Sequence, residues 1–335
     1  MRVPRILVVG SISMDLTAVT GVFPASGETV LGKGFSSAPG GKGSNQAVQA
    51  ARLGAEVTMI GKVGKDAFAE QVLASTRAAG VKVEHFLHDE NGAPTGVAMI
   101  LLEEDEQGNR KNRIIVLSGS NMTMTVDEIA FLKEDIAQYD MVMLQFEIPM
   151  AVNTAVAQWA KAKGVPVMVN PAPAAPIPDD LLACTTYLSP NEHEAAALSG
   201  VPIRVENGLN LEDVKHAADV LRQKGVENVL ITLGENGAAL TDESGLHHMP
   251  SVPKVAVADP TAAGDSFVAA FCVGLCAGLT KRQAMDFARN TAAITVSRVG
   301  AQPSLPALAE VMTAMKQHGE KDFPTEVFAD CGKQK

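Results

Sequence analysis

Short runs of apolar, β-branched residues alternate with longer segments of helical periodicity along most of the chain. The short runs predict buried strands, and the longer segments predict helices that bury one side. The predicted strands are residues 6–9, 58–60, 141–144, 165–169, 187–188 and 229–232, and the predicted helices are residues 43–53, 66–80, 152–163, 192–198, 211–224 and 268–279. Strands that alternate with helices in this way predict a doubly wound α/β fold, with a mostly parallel sheet and helices on both faces.

Two segments interrupt this alternation. Residues 16–37 contain Pro24 and several glycines, and residues 96–117 consist of two apolar runs on either side of the charged stretch 103–113. Both segments predict antiparallel ribbons outside the main sheet. The charged stretch predicts a solvated hairpin tip rather than a binding patch.

Charge and aromatic content then narrow the classes of function. The 335 residues include 28 Lys and Arg against 38 Asp and Glu, giving a formal net charge of −10, and only 4% are aromatic. Such a surface repels polyanions and offers few rings for stacking, so generic nucleic-acid binding is disfavoured, whereas a local pocket for one small anion is not. The longest apolar run, 268–279, is too short to cross a membrane. Four cysteines without a CxxC pair predict a reduced, cytoplasmic compartment.

Two glycine-rich loops are candidates for binding phosphate. Residues 27–34 match GxxxxGK, but Gly34 stands where a P-loop needs a hydroxyl for magnesium, so this loop is rejected. Residues 40–45 read Gly-Gly-Lys-Gly-Ser-Asn and lead into a helical pattern, so that Lys42 and Asn45 are able to bond hydroxyls or phosphate. The structural alternative is a turn that starts a helix, with Ser44 near the N-cap.

A second predicted helix start, at residues 262–265, is the more specific candidate for a catalytic site. The small residues Ala262, Ala263 and Gly264 leave their backbone amides uncovered at a helix N-terminus, where the helix dipole favours an anion. Asp265 follows in the same turn and is a candidate to accept a proton from an attacking hydroxyl. The alternative is that Asp265 is a helix N-cap and nothing more.

Polar residues that follow predicted strands support a site at the carboxyl edge of the sheet, where open α/β sheets bind their ligands. Asp15 follows the first strand, Glu147 follows the strand at 141–144, and Asn191 and Glu194 follow the strand at 187–188. Each alone is more often a turn or cap residue, but their shared position favours a common site.

Taken together, the loop at 40–45, the turn at 259–265 and the strand-end acids resemble the ribokinase-like branch of the PfkB carbohydrate kinases. The resemblance runs from residue 6 to about residue 315 and includes the segments 10–15, 170–174, 189–194, 232–237 and 298–304 in the family's order. It implies a ribokinase-like α/β domain over residues 1–318, with strands of a small β-sheet lid inserted at about 12–40 and 95–120. It also implies a homodimer through the lid strands, and leaves residues 319–335 as a loosely ordered tail.

The resemblance further implies transfer of the γ-phosphate of ATP to the primary 5-hydroxyl of a sugar such as D-ribose. Asp265 looks like the general base, and the amides of Ala262, Ala263 and Gly264 look like an anion hole. The implied sugar-binding residues are Ser13, Asp15, Gly41, Lys42, Asn45, Glu147 and Asp265.

ATP, Mg²⁺ and K⁺ are the implied cofactors. The nucleotide positions are Asn191, Glu194, Thr232, Gly234, Gly237, Gly264 and Arg289, with Asn191 and Glu194 ordering magnesium and phosphate. The monovalent cation positions, acting largely through backbone carbonyls, are Asp259, Thr261, Thr295, Arg298, Gly300 and Ser304.

Two departures from the family pattern leave the identity of the sugar and the preference for a nucleotide base open. Ser13 stands where these kinases usually have an Asn that touches the sugar, and a hydroxyl reaches less far and offers fewer donors. Arg289 stands where a His near the adenine is common. The alternatives are a kinase for another sugar such as 2-deoxyribose, a kinase for a nucleoside, or a non-catalytic module that binds a sugar or a nucleotide.

Overall fold

The computed structural model describes residues 3–104, 110–204, 208–318 and 323–331, and its largest element is an eight-stranded sheet. Numbered in chain order, the strands of this sheet are β1 (Arg5–Val9), β4 (Glu56–Ile60), β9 (Met141–Gln145), β10 (Val167–Asn170), β11 (Tyr187–Leu188), β12 (Asn228–Thr232), β13 (Ala238–Asp242) and β14 (Gly245–Met249). Their spatial order is β14-β13-β12-β11-β10-β9-β1-β4. The strands from β4 to β12 are parallel, whereas β13 and β14 add an antiparallel edge.

The parallel strands are apolar along their whole length because both faces of the sheet are covered. In β1, Ile6 and Val8 pack into one core cluster, and Leu7 and Val9 pack into the other. The period of two along a strand sends successive side chains to opposite faces. The predicted doubly wound α/β fold, with helices on both faces, is confirmed.

Ten α-helices are present in the described part of the chain. They are α1 (Lys42–Arg52), α2 (Ala67–Ala78), α3 (Leu132–Asp135), α4 (Met150–Ala162), α5 (Asp179–Leu182), α6 (Glu192–Ser199), α7 (Leu211–Gln223), α8 (Ala263–Ala277), α9 (Lys281–Val296) and α10 (Leu308–Gln317). Helices α1, α2, α8, α9 and α10 contribute to the core cluster on one face, and α4 to α7 contribute to the other. Short 3-10 turns lie at Gly119–Thr123, Asp127–Ile129, Ile136–Gln138, Gly234–Asn236, Gln302–Ser304 and Thr325–Phe328.

A separate four-stranded sheet, called the lid below, projects from the main domain. Its strands are β2 (Ser13–Thr20), β3 (Gly32–Gly40), β7 (Gly96–Glu104) and β8 (Arg110–Leu117), in the order β3-β2-β7-β8. Each of the two predicted ribbons is an antiparallel pair, and parallel pairing of β2 with β7 joins them. The predicted hairpin tip includes residues 105–109, which lie outside the described residues. A third, two-stranded sheet pairs β5 (Lys62–Val63) with β6 (Leu87–His88).

Side-chain hydrogen bonds fix the base of the lid to the main domain. The buried Asn121 accepts from the Ile12 amide at 3.0 Å through Oδ1 and donates to the Ile12 carbonyl at 2.8 Å through Nδ2. Asp66 caps α2 through the Ala69 amide at 2.9 Å and accepts from the Thr95 amide at 2.8 Å. Ile12 precedes β2 and Thr95 precedes β7, so both central lid strands start from fixed points.

Several boundaries differ from those predicted. The strand predicted at 165–169 is Val167–Asn170, and the helix predicted at 268–279 begins five residues earlier, as Ala263–Ala277. No individual prediction was made for the antiparallel strands β13 and β14 or for the helices α9 and α10. Near the C-terminus, Phe328 is buried and its ring lies 4.9 Å from that of Phe287. Among the described residues, no helix is both long and apolar enough to cross a membrane.

Candidate active site

Residues from distant parts of the chain meet at the carboxyl edge of the main sheet. The segment 10–15 follows β1, Glu147 follows β9, Asn170 ends β10, Asn191 follows β11 and Thr232 ends β12. The N-termini of α1 and α8 lie at the same edge, since Asn45 of α1 bonds Asp265 of α8. This is the edge at which parallel α/β sheets bind ligands.

The glycine-rich loop at 40–45 starts helix α1 at Lys42. Gly41 is the N-cap residue, at φ 91°, and a Cβ there would lie 2.9 Å from Ile12 Cα, so only glycine fits this approach. Ser44 is the third residue of the helix, so it lies in the first turn, close to the N-cap but not at it. The Lys42 amide donates to Glu147 Oε2 at 3.0 Å, and the Ser11 hydroxyl donates to the same oxygen at 2.5 Å. Glu147 thereby ties the loop to the end of β9.

Helix α8 starts with an unusual backbone conformation. Ala262 is the N-cap residue and has a left-handed φ of 61°, a strained region for a residue with a Cβ. Among the described residues, no acceptor is found for the amides of Ala262 and Gly264, whereas the Ala263 amide donates to the Pro260 carbonyl at 3.2 Å. Asp265 is the third residue of the helix, so its interpretation as an N-cap is wrong. Two of the three predicted amides are therefore open to an anion.

Asp265 is only 7% exposed, and both of its oxygens accept hydrogen bonds from α1. Asn45 Nδ2 donates to Oδ2 at 3.0 Å, and Gln46 Nε2 donates to Oδ1 at 3.0 Å. The carboxylate is thereby held in one orientation between two helices. A carboxylate so placed beside open amides is suited to accept a proton from a hydroxyl next to a bound anion.

Four acids and one lysine lie within electrostatic range of one another at this edge of the sheet. The pKa of Asp15 is raised to about 7, mainly by burial and also by the charges of Glu147 and Asp265, while the Ser13 hydroxyl, 3.3 Å from Oδ1, opposes the rise. Burial alone would lower the pKa of Lys42, but the charges of Asp265, Glu147 and Glu194 outweigh it and raise that pKa. Lys42 therefore stays charged amid the acids, which is the charge a phosphate group needs.

Asn191 and Glu194 form a capping box at the start of α6. Asn191 Oδ1 accepts from the Glu194 amide at 2.7 Å, and the Asn191 amide donates to Glu194 Oε2 at 2.8 Å. Burial raises the pKa of Glu194, and its bond from the Asn191 amide and the charge of Lys42 oppose that rise. The pair is thus a helix cap whose carboxylate also lies within electrostatic range of Lys42.

The predicted nucleotide loop lies next to this cap. Asn191 pairs with Thr232, and beyond it the Leu233 amide donates to the Gly237 carbonyl at 2.8 Å across the turn that holds Gly234. Arg289 of α9 donates from Nη1 to the Pro250 carbonyl at 3.2 Å, just after β14. The predicted residues therefore line the same end of the sheet.

The predicted cation positions lie in two loops and at the end of α9, and the Asp259 amide donates to the Val296 carbonyl at 3.2 Å, next to Thr295. Asp259 accepts from the Thr261 amide at 2.9 Å and from the Gly300 amide at 2.9 Å, which joins the two loops. The remaining positions have internal partners: Thr295 Oγ1 donates to the Thr291 carbonyl, Ser304 Oγ donates to the Ala301 carbonyl, and Arg298 Nη2 donates to Glu310.

Sequence reasoning missed several polar residues that hold this site. Ser11 bonds Glu147, Gln46 bonds Asp265, Gln145 bonds Gln46, and Asn121 holds the base of the lid. Their common signal is a polar side chain inside an otherwise apolar element, as with Gln145 at the end of β9. That signal is weak, because buried polar residues also serve as ordinary structural partners.

Fold and site together define an α/β protein with a cluster of charged residues at the carboxyl edge of its main sheet, next to the base of a small β-sheet, and with a carboxylate beside open helix amides. The sequence model of the "pfkB family carbohydrate kinase" family matches residues 3–308. The chain therefore belongs to the PfkB family of carbohydrate kinases, which use ATP to phosphorylate a sugar hydroxyl.

Individual relatives cover nearly the whole chain. A ribokinase of Schizosaccharomyces pombe is 39% identical over 92% of this chain and 96% of its own length. A deoxyribokinase of Salmonella typhi is 31% identical over 91% of this chain and 96% of its own. The structure of Arabidopsis thaliana ribokinase complexed with ribose and ATP is similar with a TM-score of 0.84, at 32% identity, over 94% of this chain and 99% of that one.

The raised pKa of Asp15 makes a stability prediction. Between the ordinary pKa of 3.8 and the raised pKa of about 7, the folded chain keeps a proton that the unfolded chain has lost, so the contribution of Asp15 to stability falls as pH rises. The free energy of unfolding in urea should decrease from pH 5 to pH 8 in the wild type. In Asp15→Asn this decrease should be smaller by about 1–2 kcal/mol, allowing for solvent screening.

Asp213→Asn is the control, because Arg204 lowers the pKa of Asp213 and this group titrates below the same window. Identical pH dependence in the wild type and Asp15→Asn would show that Asp15 does not titrate near 7.

Proposed function

We propose that this protein transfers the γ-phosphate of ATP to the 5-hydroxyl of D-ribose, with Asp265 as the general base. The observation that carries the proposal is the buried carboxylate of Asp265, oriented by Asn45 and Gln46, next to the open amides of Ala262 and Gly264. This pairs a proton acceptor with an anion-binding helix start at one point of the cleft.

The proposed step needs little movement of atoms. The sugar oxygen forms a bond to the γ-phosphorus, its proton passes to Asp265, and the bond from phosphorus to the leaving ADP oxygen breaks. Because phosphoryl transfer depends mainly on positioning and charge stabilisation, a fixed carboxylate and fixed donors supply most of what the protein contributes.

Charge on the transferring group is stabilised by the start of α8 and by Lys42. The amides of Ala262 and Gly264 carry the positive end of the helix dipole, while the Ala263 amide is already bonded to Pro260 and is assigned a smaller part. Lys42 remains protonated among three acids and is the ammonium available to a phosphate.

Sugar recognition is assigned to the acids and amides around the lid base. Asp15, Asn45 and Glu147 provide acceptors and donors suited to sugar hydroxyls, and Gly41 allows close approach of the backbone. Ser13 offers one hydroxyl, already bonded to Asp15, and this single donor favours 2-deoxyribose as the second candidate substrate. The similarity to a deoxyribokinase supports keeping that candidate.

Magnesium fits this site only as an ion brought in with the nucleotide. Among the described residues, no three His, Cys, Asp or Glu side chains form a group that could hold a metal. Mg²⁺ typically keeps several waters and is held by one or two carboxylates and substrate phosphates. Glu194 is the carboxylate assigned to it, with Asn191 orienting Glu194 through the capping box. Bound there, the ion would neutralise charge on the phosphate oxygens.

A monovalent cation fits the loops that Asp259 joins. Asp259 joins the loops that carry Thr261 and Gly300 by accepting from both of their amides. Backbone carbonyls of these loops are assigned as the ligands of a weakly charged ion such as K⁺. Such an ion would lie near the open amides and would keep their loop ordered. Arg298, engaged by Glu310, is assigned a backbone role at most.

The lid is proposed to join two copies of the chain. In the edge strand β8, Ile114, Ile115, Val116 and Leu117 are all more than half exposed, and Phe35 of the opposite edge strand is 72% exposed. Contiguous apolar surface and an open strand edge are both typical of a protein interface. A second copy of the lid would cover them.

The proposed location is the cytoplasm. None of Cys184, Cys272, Cys276 and Cys331 forms a disulfide bond. Burial raises the pKa of Cys272, which keeps this thiol unreactive. Cysteines that are not joined by disulfides fit a reducing compartment.

An ADP-release assay over ribose, 2-deoxyribose, fructose and adenosine tests the proposal. Ribose should give the highest kcat/KM, and Asp265→Asn should lower kcat on it by about 10²-fold or more, because the proton acceptor is lost. Preference for 2-deoxyribose would replace the first candidate with the second. Sugar binding by calorimetry without ADP formation would favour a binding module, and near wild-type turnover of Asp265→Asn would remove Asp265 as the base.

Potassium should raise the rate several-fold over tetramethylammonium at equal ionic strength, because the cation orders the loop before α8. Asp259→Asn should reduce this difference, since it loosens the link to Gly300. Equal rates in potassium, sodium and tetramethylammonium would contradict the proposed cation site.

Sedimentation should find a dimer that Ile115→Lys converts to a monomer, because a lysine on β8 leaves a charge in the apolar contact. Val257→Lys is the control, as Val257 is equally apolar, 66% exposed and outside the lid. A monomeric wild type at micromolar concentration would count against lid pairing.

A further inference from the structure

Two consecutive side chains of α1 hold Asp265, but only Asn45 belongs to the proposed sugar-binding set. Gln46 has no exposed surface, and its Nε2 donates to Asp265 Oδ1 at 3.0 Å and to Asn170 Oδ1 at 3.2 Å. Its Oε1 accepts from Gln145 Nε2 at 2.6 Å. Both N–H groups and the oxygen of the Gln46 amide are therefore used inside the protein.

The direction of each bond follows from two fixed acceptors. The Asp265 carboxylate only accepts, so Gln46 must present its amino group to it. Asn170 donates from Nδ2 to the Ser189 carbonyl at 2.8 Å, which leaves its Oδ1 as a second acceptor for Gln46. Gln46 must then accept from Gln145, so the chain of amides donates toward Asp265 at every step.

This arrangement is costly for a core built only for stability. Gln145 is fully buried, and its Oε1 has no hydrogen-bond partner among the described residues. A Cβ added at Gly10 would collide with that oxygen, so the backbone there also makes room for the amide. An apolar side chain of similar size would avoid the unpaired oxygen.

We propose that Gln46 is a positioning residue for Asp265 and that Gln145 acts through Gln46. The proposal rests on the general-base role of Asp265 given above. The bond from Gln46 fixes the rotation of the carboxylate, and the bond from Gln145 polarises the amide that donates to it. Gln46 does not touch the sugar in this assignment, so it affects the chemical step and not substrate binding.

Replacement of Gln46 by Met, which keeps the volume and removes the amide, is the main test. Gln46→Met should lower kcat on the best sugar by about 10- to 100-fold while leaving KM for sugar and ATP within about twofold, because a misoriented base slows the step after binding.

Gln49→Met is the matched control on the same helix. Gln49 is also fully buried, and its Nε2 donates to the Pro306 carbonyl at 2.9 Å rather than to the site. Gln49→Met should lose stability in urea unfolding and keep its kcat and its KM for sugar and ATP. An equal loss of kcat in Gln46→Met and Gln49→Met would reduce Gln46 to a structural residue and overturn the proposal.

Gln145→Met supplies a second variant one bond further from the carboxylate. It should lower kcat by a smaller factor, and Gln46→Met/Gln145→Met should be no slower than Gln46→Met alone, because Gln145 acts only through Gln46. If the factors by which the two substitutions lower kcat multiplied in the double variant, Gln145 would act independently of Gln46, and the proposal would be contradicted. If Gln46→Met does not fold, an unchanged kcat in Gln145→Met overturns the proposal by itself.

Asp265→Asn separates this proposal from the proposed function. Full activity in Gln46→Met with an inactive Asp265→Asn overturns only the positioning role. An active Asp265→Asn removes the general base itself.

Discussion

A carboxylate that is 7% exposed needs hydrogen-bond donors, and Asp265 obtains them from one turn of another helix. Asn45 and Gln46 donate to its two oxygens across 220 and 219 residues of sequence. Because burying a carboxylate without donors is unfavourable, the N-termini of α1 and α8 must meet for Asp265 to be buried with both oxygens paired. The position of α1 then fixes the glycine-rich loop before it, and the position of α8 fixes the open amides at its start.

The acids of the cleft depend on the same arrangement. Asp15, Glu147 and Asp265 come from three separate segments, and their mutual repulsion is reduced by Lys42 and by the proton that Asp15 holds up to about pH 7. The lid base contributes because Asn121 fixes Ile12, directly before the strand that carries Asp15. The position of the Asp15 carboxylate among the other acids therefore depends on the hydrogen bonds that hold the base of the lid.

Much of the fold was predictable because its signals are local. The apolar run 6–9 predicts a strand that is buried on both faces. Asp66 caps α2 by accepting a hydrogen bond from the amide of Ala69, three residues later in the chain. Helix starts were less well predicted. Ser44 and Asp265 both have the side chains of N-cap residues, but the caps are Gly41 and Ala262, whose backbones take left-handed conformations that the local sequence does not reveal.

The sequence by itself determined the α/β class, the two ribbons, the family resemblance and the order of the polar motifs, since these follow from periodicity and local residue types. Tertiary structure alone decided which polar groups meet. It turned Asn191 and Glu194 into a reciprocal cap, gave the Ala263 amide a partner in Pro260, and placed Gln46 and Gln145 behind Asp265. The physical reason is that a buried amide or carboxylate takes its role from partners distant in sequence, which no local pattern specifies.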